Sequence, residues 1–424
     1  MTKKDVLELK RRLKKNECTF TKLCGCYVNN EKETVLKFTE TFLNLEEEEF
    51  YKYLEIAKKV LSGTVGNNLL ELEFPLEEED TGGRQQFFLG LRESKLKNEG
   101  LLDTFFQLII DTYDYAGNYL ILIFHDAYDV MTKTSDNRKV DESEEVYEYL
   151  LCAICPVGLT KPGLGYLADE NRIGPRVRDW VVGAPENGFV FPAFTDRSTD
   201  IHSVMFYTKN AKEPHAEFME AGLGCPSKQT ATEQKTAFQS IIKNAIRDEE
   251  ESTGLMLEIQ QNLSDYAQEQ AALKDHEDEP VFLTNDSIQD ILVEAGIPEE
   301  VTTKIEQSYT EEFGDTPPVV DHLLDSKLLA ANEQRQKEKN LIKQVQQLQQ
   351  KLEEVQEQSA DLTMIDDMGS IDDEDDTTNK YDVILKVNPE KIDQITSQII
   401  NGKKCIVIPM EEHEHATVNG MDKL

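Results

Sequence analysis

Two groups of side chains in this sequence could do chemistry. His125-Asp126-Ala127-Tyr128-Asp129 follows the apolar run NYLILIF. Asp196, Arg197, Ser198, Thr199, Asp200, His202 and Ser203 crowd the stretch WVVGAPENGFVFPAFTDRSTDIHSVMFY, which also holds the only tryptophan, Trp180. Carboxylates at the end of a buried strand suit divalent-metal binding. If the two strand ends adjoin, Asp126, Asp129, Asp196, Asp200 and His202 form a candidate catalytic set. The aspartates would hold Mg²⁺ or Mn²⁺, and His202 would position water or protonate the leaving group of a phosphoester or nucleotide. A structural expectation competes with it. The aspartates would cap turns and pair with Arg172, Arg176, Arg178 and Arg197. A binding surface built on Arg172, Arg176, Arg178, Trp180, Phe194 and Arg197 is the third possibility. No GxSxG elbow favours a serine nucleophile.

Other chemistry is weaker. Cys24-Gly25-Cys26 has poor spacing for zinc, and Cys152 and Cys155 lie three apart in an apolar strand, so they point to opposite faces. Buried thiols are expected, and no resident metal. The loop Ser62–Asn68 bears glycines but follows a helix C-terminus and lacks the GK[ST] ending of a phosphate cradle. His413 and His415 lie in an acidic tail.

The elements that must position these groups read as follows. A basic amphipathic helix covers 3–14, a hairpin 17–43, and helices about 46–62, 84–98 and 99–114. The runs 118–125 and 146–155 read as strands covered on both faces, with a polar excursion loop at 131–145 between them. A strand pair is expected at 188–194 and 202–208. Residues 232–273 are helical, 275–279 a linker, and 285–313 a helical hairpin with Asp286 as first cap, Gly296 as stop and Pro298 as second start. Leu341, Val345, Leu348, Leu352, Val355 and Leu362 form a heptad seam, with Ser359 in one seam position.

This order implies an α+β, multidomain chain. A mixed-sheet main domain spans 1–224, an acidic helical region 225–330 and a coiled-coil-like helix 331–362. An Asp-rich disordered linker then covers 363–379, a small β-α-β-β module 380–412 and a tail 413–424. Within the last module, a strand at 381–387 precedes a helix from Pro389, and a second strand follows an Asn401-Gly402 turn.

Charge narrows the function. The chain has 424 residues, 82 acidic against 45 basic, and a net charge of −37. Such a surface repels phosphate backbones and anionic lipid, so nucleic acid is an unfavoured partner. Residues 1–16 are the exception, with seven basic side chains against two acidic. With the arginines at 172–178 they leave a ribosome- or RNA-associated factor as the least favoured reading. No apolar run reaches the roughly 20 residues of a membrane span, and the N-terminus lacks a signal-peptide core. Seven cysteines, an odd number, fit a reducing compartment. A cytoplasmic location is expected.

The strings ECTFTKLCGCYVNNEKE, KVLSGTVGNNLLELEFPLE, YLILIFHDAYDV, RDWVV, GFVFPAFTDRSTDIHS and INGKKCIVIP resemble an uncharacterised family of Firmicutes proteins, catalogued only as a domain of unknown function. The resemblance covers nearly the whole chain. It implies a bacterial cytosolic origin and a single architecture along the length, and no activity. The favoured expectation is a non-catalytic interaction or scaffold protein, using 189–203 and the heptad helix for a protein partner or self-association. The metal-dependent hydrolase is the alternative.

Overall fold

The computed structural model describes residues 1–133, 139–246, 249–273, 280–314, 316–363, 395–400, 403–407, 417–418 and 421–422. The chain is α+β. It forms two compact units, Met1–Ile342 and Lys343–Leu424.

The first unit is built on an antiparallel sheet. Helix α1 (Lys3–Arg12) opens the chain. Strands β1 (Lys22–Val28) and β2 (Thr34–Thr41) form the expected hairpin. Helix α2 (Glu47–Val60) starts with three glutamates and ends on Lys58 and Lys59, both suited to its dipole. Strand β3 (Leu69–Glu73), short helix α3 (Leu76–Glu79) and helices α4 (Arg84–Glu93) and α5 (Glu99–Thr112) follow. Long strands β4 (Asn118–Lys133) and β5 (Lys139–Leu159) come next. They pair from Asn118↔Val157 out to Lys133↔Lys139. The polar stretch 131–145 is therefore not a loop excursion, since ladder pairing carries most of it beyond the apolar run. Two bulges, after Val130 and after Met131, mark where the register slips. Residues 134–138 lie outside the described residues.

Strands β6 (Leu164–Leu167) and β7 (Arg172–Pro175) form a small separate hairpin. Strand β8 (Trp180–Val182) returns to the end of β5. Strand β9 (Asn187–Phe191), the two-strand pair β10 (Ala193–Thr195) and β11 (Ser198–Asp200), and β12 (Ser203–Thr208) complete the sheet region. The sheet order is β2-β1-β4-β5-β9-β12-β3, with β8 beside β5.

Alternation along β4 shows why its first half, Tyr119–Phe124, is apolar without a break. Tyr119, Ile121 and Ile123 enter a core with α4, α5 and the π-helical turn Phe218–Gly222. Leu120, Leu122 and Phe124 enter a second core with α1 and α2. Both faces are covered, so no polar stripe is possible. Gly188 leaves room for Val60 of α2. A Cβ there would meet the Cys152 carbonyl oxygen at 2.4 Å and Val60 Cγ2 at 3.0 Å.

The middle of the chain makes its own core from α6 (Ala231–Ala245), α7 (Glu249–Ala272), α8 (Asn285–Glu294), α9 (Glu299–Phe313) and α10 (Val320–Leu323). Thr284, not Asp286, caps α8. Its hydroxyl accepts from Ser287 N, and Asp286 sits in the first turn. Gly296, at φ +73°, and Pro298 lie where the turn between α8 and α9 requires them.

Loop 62–68 joins this core to the sheet. Gly66 O accepts from Ala231 N at 2.8 Å, and Asn67 Oδ1 accepts from Thr232 N at 3.0 Å. The loop therefore caps α6 with acceptors. It presents no donor nest for phosphate.

Helix α11 (Ser326–Thr363) leads from the first unit into the second. In the second unit β13 (Thr396–Ile400) and β14 (Lys403–Val407) pair across Asn401-Gly402. Two short pieces, 417–418 and 421–422, pair with each other. The Asp-rich stretch, the expected strand at 381–387, the start of the helix at Pro389, His413 and His415 lie outside the described residues, as does the 275–279 linker.

Candidate functional site

The Asp126 cluster is built on the α1 face of the sheet. Asp126 is buried on β4. Its Oδ1 accepts from Thr19 Oγ1 at 2.6 Å and from Ala127 N at 2.9 Å. Its Oδ2 accepts from Tyr149 OH at 2.7 Å, and Arg12 Nη1 lies 3.5 Å away. A carboxylate has about four lone-pair positions. Three of them accept hydrogen bonds from protein groups, and the Arg12 guanidinium faces the carboxylate as an ion pair without a hydrogen bond from Nη1. Arg12 is held in turn by donating to Thr19 Oγ1 at 2.7 Å and by lying 3.7 Å from the Tyr128 ring centroid.

Tyr149 stacks on Tyr147, with ring centroids 4.7 Å apart, and Tyr147 OH donates to Pro192 O at 2.6 Å. Burial pushes both phenols far above their usual range, with Asp126 adding to it. They remain neutral donors.

The remaining candidates do not join Asp126. Asp129 lies three residues along β4 and is exposed, so alternation turns it to the other face. Asp196 and Arg197 have φ of +50° and +62°, and Thr195 pairs with Ser198 across them. They are the two central residues of a tight hairpin turn. Arg197 reaches back to α1 through Glu8, with Nε–Oε2 3.1 Å, and donates to the Met131 carbonyl. Tyr128 OH donates to the same Glu8 at 2.7 Å. Asp200 Oδ1 accepts from His202 N at 3.0 Å and so closes its own turn. His202 is exposed and bonds Glu79 of α3 through Nδ1 at 2.7 Å. That hydrogen bond raises the imidazole above its usual range.

His202 thus belongs to the α4 side of the sheet and Asp126 to the α1 side. The five groups do not make one metal shell. Among the described residues, no three His, Cys, Asp or Glu side chains are placed to hold a metal ion.

The expected arginine partners differ as well. Arg172 pairs with Glu170, Arg178 Nε donates to Thr160 O at 2.7 Å, and Arg176 uses its backbone N–H to Gly163 O at 2.9 Å. None of them meets Asp126, Asp196 or Asp200 in a described ion pair. Phe194 is fully buried against Tyr147 and Tyr128, so it serves the core and not a docking face. Trp180 is 57% exposed on β8. Earlier in the same segment, Leu164, Tyr166, Ile173 and Val177 are exposed too. The segment 159–182 is therefore an apolar arm carrying arginines.

A further line of groups lies on the α4 face. Thr21 Oγ1 is 2.7 Å from His125 Nδ1, His125 Nε2 is 2.8 Å from Glu148 Oε1, and Lys95 Nζ is 3.7 Å from that same oxygen. Burial pushes His125 below its usual range. The hydroxyl, imidazole and carboxylate resemble a relay. However, Thr21 also lies 3.4 Å from the His125 carbonyl, and its backbone N–H donates there. The line braces β1, β4 and β5 together. Its one sequence signal is alternation, which puts His125 and Glu148 on the face opposite Asp126.

The cysteines of the first unit are shielded thiols. Six are buried, and burial pushes Cys18 up to about 11 and Cys155 and Cys225 up to about 12. No described helix is long and apolar enough to cross a membrane.

Fold and site together define an α+β protein in which Asp126 and His125 are bonded to groups of neighbouring elements. Residues 1–421 match the family described as Domain of unknown function (DUF4317), and the chain belongs to that family. No curated protein matches it.

Proposed function

We propose that this chain is a non-catalytic interaction scaffold that self-associates through α11. The observation that carries the reading is the exposed row on that helix. Leu341, Val345 and Leu348 are 62%, 45% and 65% exposed, and Ile342 beside them is 57% exposed. They follow the four-three spacing of a heptad seam. Val345 falls at an a position and Leu341 and Leu348 at d positions. A β-branched a with leucine at d favours two strands. Burying apolar area returns roughly 25 cal/mol per Å², so a repeating apolar row gains most by meeting its own copy.

The arm 159–182 supports a second, protein-binding surface. Tyrosine, tryptophan and arginine are the residues that dominate protein interfaces. Of the expected docking segment 189–203, residues 189–194 are buried and 195–202 reach the surface, so the arm adds to what that segment offers. The reading needs no cofactor. It places the chain in the cytoplasm, where six buried thiols stay reduced.

Sedimentation equilibrium tests the proposal. The full chain should sediment as a dimer or larger species. Leu341→Lys, Val345→Lys and Leu348→Lys combined should give a monomer with unchanged circular dichroism. A wild type that stays monomeric up to its solubility limit rejects the reading.

A further inference from the structure

Beside α2 lies a cleft of about 700 Å³. Lys52, Ile56, Lys58 and Lys59 of α2 line it on one side, and Val181, Val182 and Pro185 on the other. Lys10 of α1 contributes as well. Val181 and Val182 remain 50% and 41% exposed, although they are neighbours on one strand.

The charges are unusual for this molecule. Four lysines line the cleft against one glutamate, Glu55. Glu55 is already taken, with Lys52 Nζ 3.2 Å from its Oε2. Among the described residues, Lys10, Lys58 and Lys59 make no ion pair. Acids outnumber basic residues 82 to 45 in this chain, so a lining of four lysines against one glutamate runs opposite to its overall balance. These three sit in the last turns of α1 and α2, where a cation offsets the helix dipole. That accounts for their place on each helix. It does not account for a shared apolar wall opposite them.

We propose that the cleft binds an acidic, amphipathic segment of a partner protein. Its carboxylates would meet Lys10, Lys58 and Lys59. Its aliphatic side chains would lie against Ile56, Val181 and Val182. The lining has no aromatic ring on which a base could stack and no arginine, which disfavours single-stranded nucleic acid. The site is concave, and the charge of the whole chain repels an anionic membrane. Charge complementarity steers such a partner in, and the apolar wall holds it.

Trp180 is the only tryptophan and adjoins Val181, so its emission reports occupancy. The full chain is titrated with a synthetic peptide of alternating glutamate and leucine. Its glutamine-for-glutamate counterpart, oligouridine RNA and phosphatidylserine vesicles are run in parallel. The acidic peptide should shift the Trp180 emission and bind at least tenfold tighter than the glutamine peptide. Lys58→Glu with Lys59→Glu should weaken it at least tenfold in a chain whose circular dichroism is unchanged. Lys10→Glu, on a different helix, repeats the test independently.

Equal binding of the glutamine peptide overturns the proposal. So does indifference to these charge reversals, or tighter binding of RNA or vesicles than of the acidic peptide. The inference shares with the proposed function only the premise that the chain works by binding proteins. A Leu348→Lys chain that is monomeric yet binds the peptide separates the two. A wild type that dimerises without binding the peptide rejects the cleft alone.

Discussion

Asp126 looks like a metal ligand in the sequence and behaves as a brace in the structure. Its carboxylate is buried with Arg12, Thr19 and Tyr149 around it, so removing it strands a guanidinium and two hydroxyls. Asp126→Ala should destabilise the chain by about 3–5 kcal/mol, the usual cost of breaking a buried pair from one side. Asp129→Ala, at an exposed position, should stay within about 0.5 kcal/mol. Urea denaturation of the two variants checks the contrast. Mg²⁺ or Mn²⁺ should leave the melting temperature unchanged, because a ligand stabilises only by binding the native state. A metal-dependent rise would return the hydrolase reading.

His125 gives the pH dependence. Burial lowers its folded value, so the unfolded chain takes up the proton first, at about 6.5. Stability is fully present above that value and is lost as pH falls through the lower, folded one. His322, lowered mainly by burial, acts in the same direction. Denaturant midpoints should fall between about pH 7 and pH 5, and His125→Gln should flatten part of the slope. Equal slopes in the two proteins would show that His125 contributes nothing.

At the scale of elements, much was legible because periodicity is local. The β1–β2 hairpin, α2, α5, the apolar centres of β4 and β5 and the α8–α9 pair all follow from apolar spacing with helix or turn signals. The polar half of the β4–β5 ladder was not legible. Beyond the core, pairing is maintained by backbone bonds that do not depend on side-chain polarity. Strand β3 also escaped notice, because LLELE is short and follows a glycine-bearing loop.

The Asp196-Arg197 turn shows two local demands in competition. Asn-Gly would suit the positive φ angles better, a gain of about 0.4–1 kcal/mol. It would also remove the Arg197–Glu8 tie, a charge-assisted contact of about 1.5–3 kcal/mol at this half-buried site. The double variant Asp196→Asn, Arg197→Gly should therefore melt lower than wild type. A higher melting temperature would show that the turn matters more than the tie. Gly188→Ala should cost about 1–3 kcal/mol by overpacking against Cys152 and Val60. Gly163→Ala, with nothing within 4 Å, is the control.

At the scale of the whole molecule, the acidic balance and the α+β class were readable from composition and element order. The site was not, because its contacts span the chain. Thr19 and Asp126 are 107 positions apart, and Glu8 and Arg197 are 189 apart. Only the folded sheet reveals that α1 supplies the partners for both polar clusters. It also shows that the crowded residues after Phe194 form a turn. The same fold leaves apolar side chains uncovered on α11 and on the arm, and the proposed scaffold role rests on them.

Amide hydrogen exchange along 341–351 at several protein concentrations addresses that claim most directly. The account predicts that protection there rises with concentration while protection in β4 and β5 stays constant. Protection at 341–351 that is the same at every concentration would contradict it.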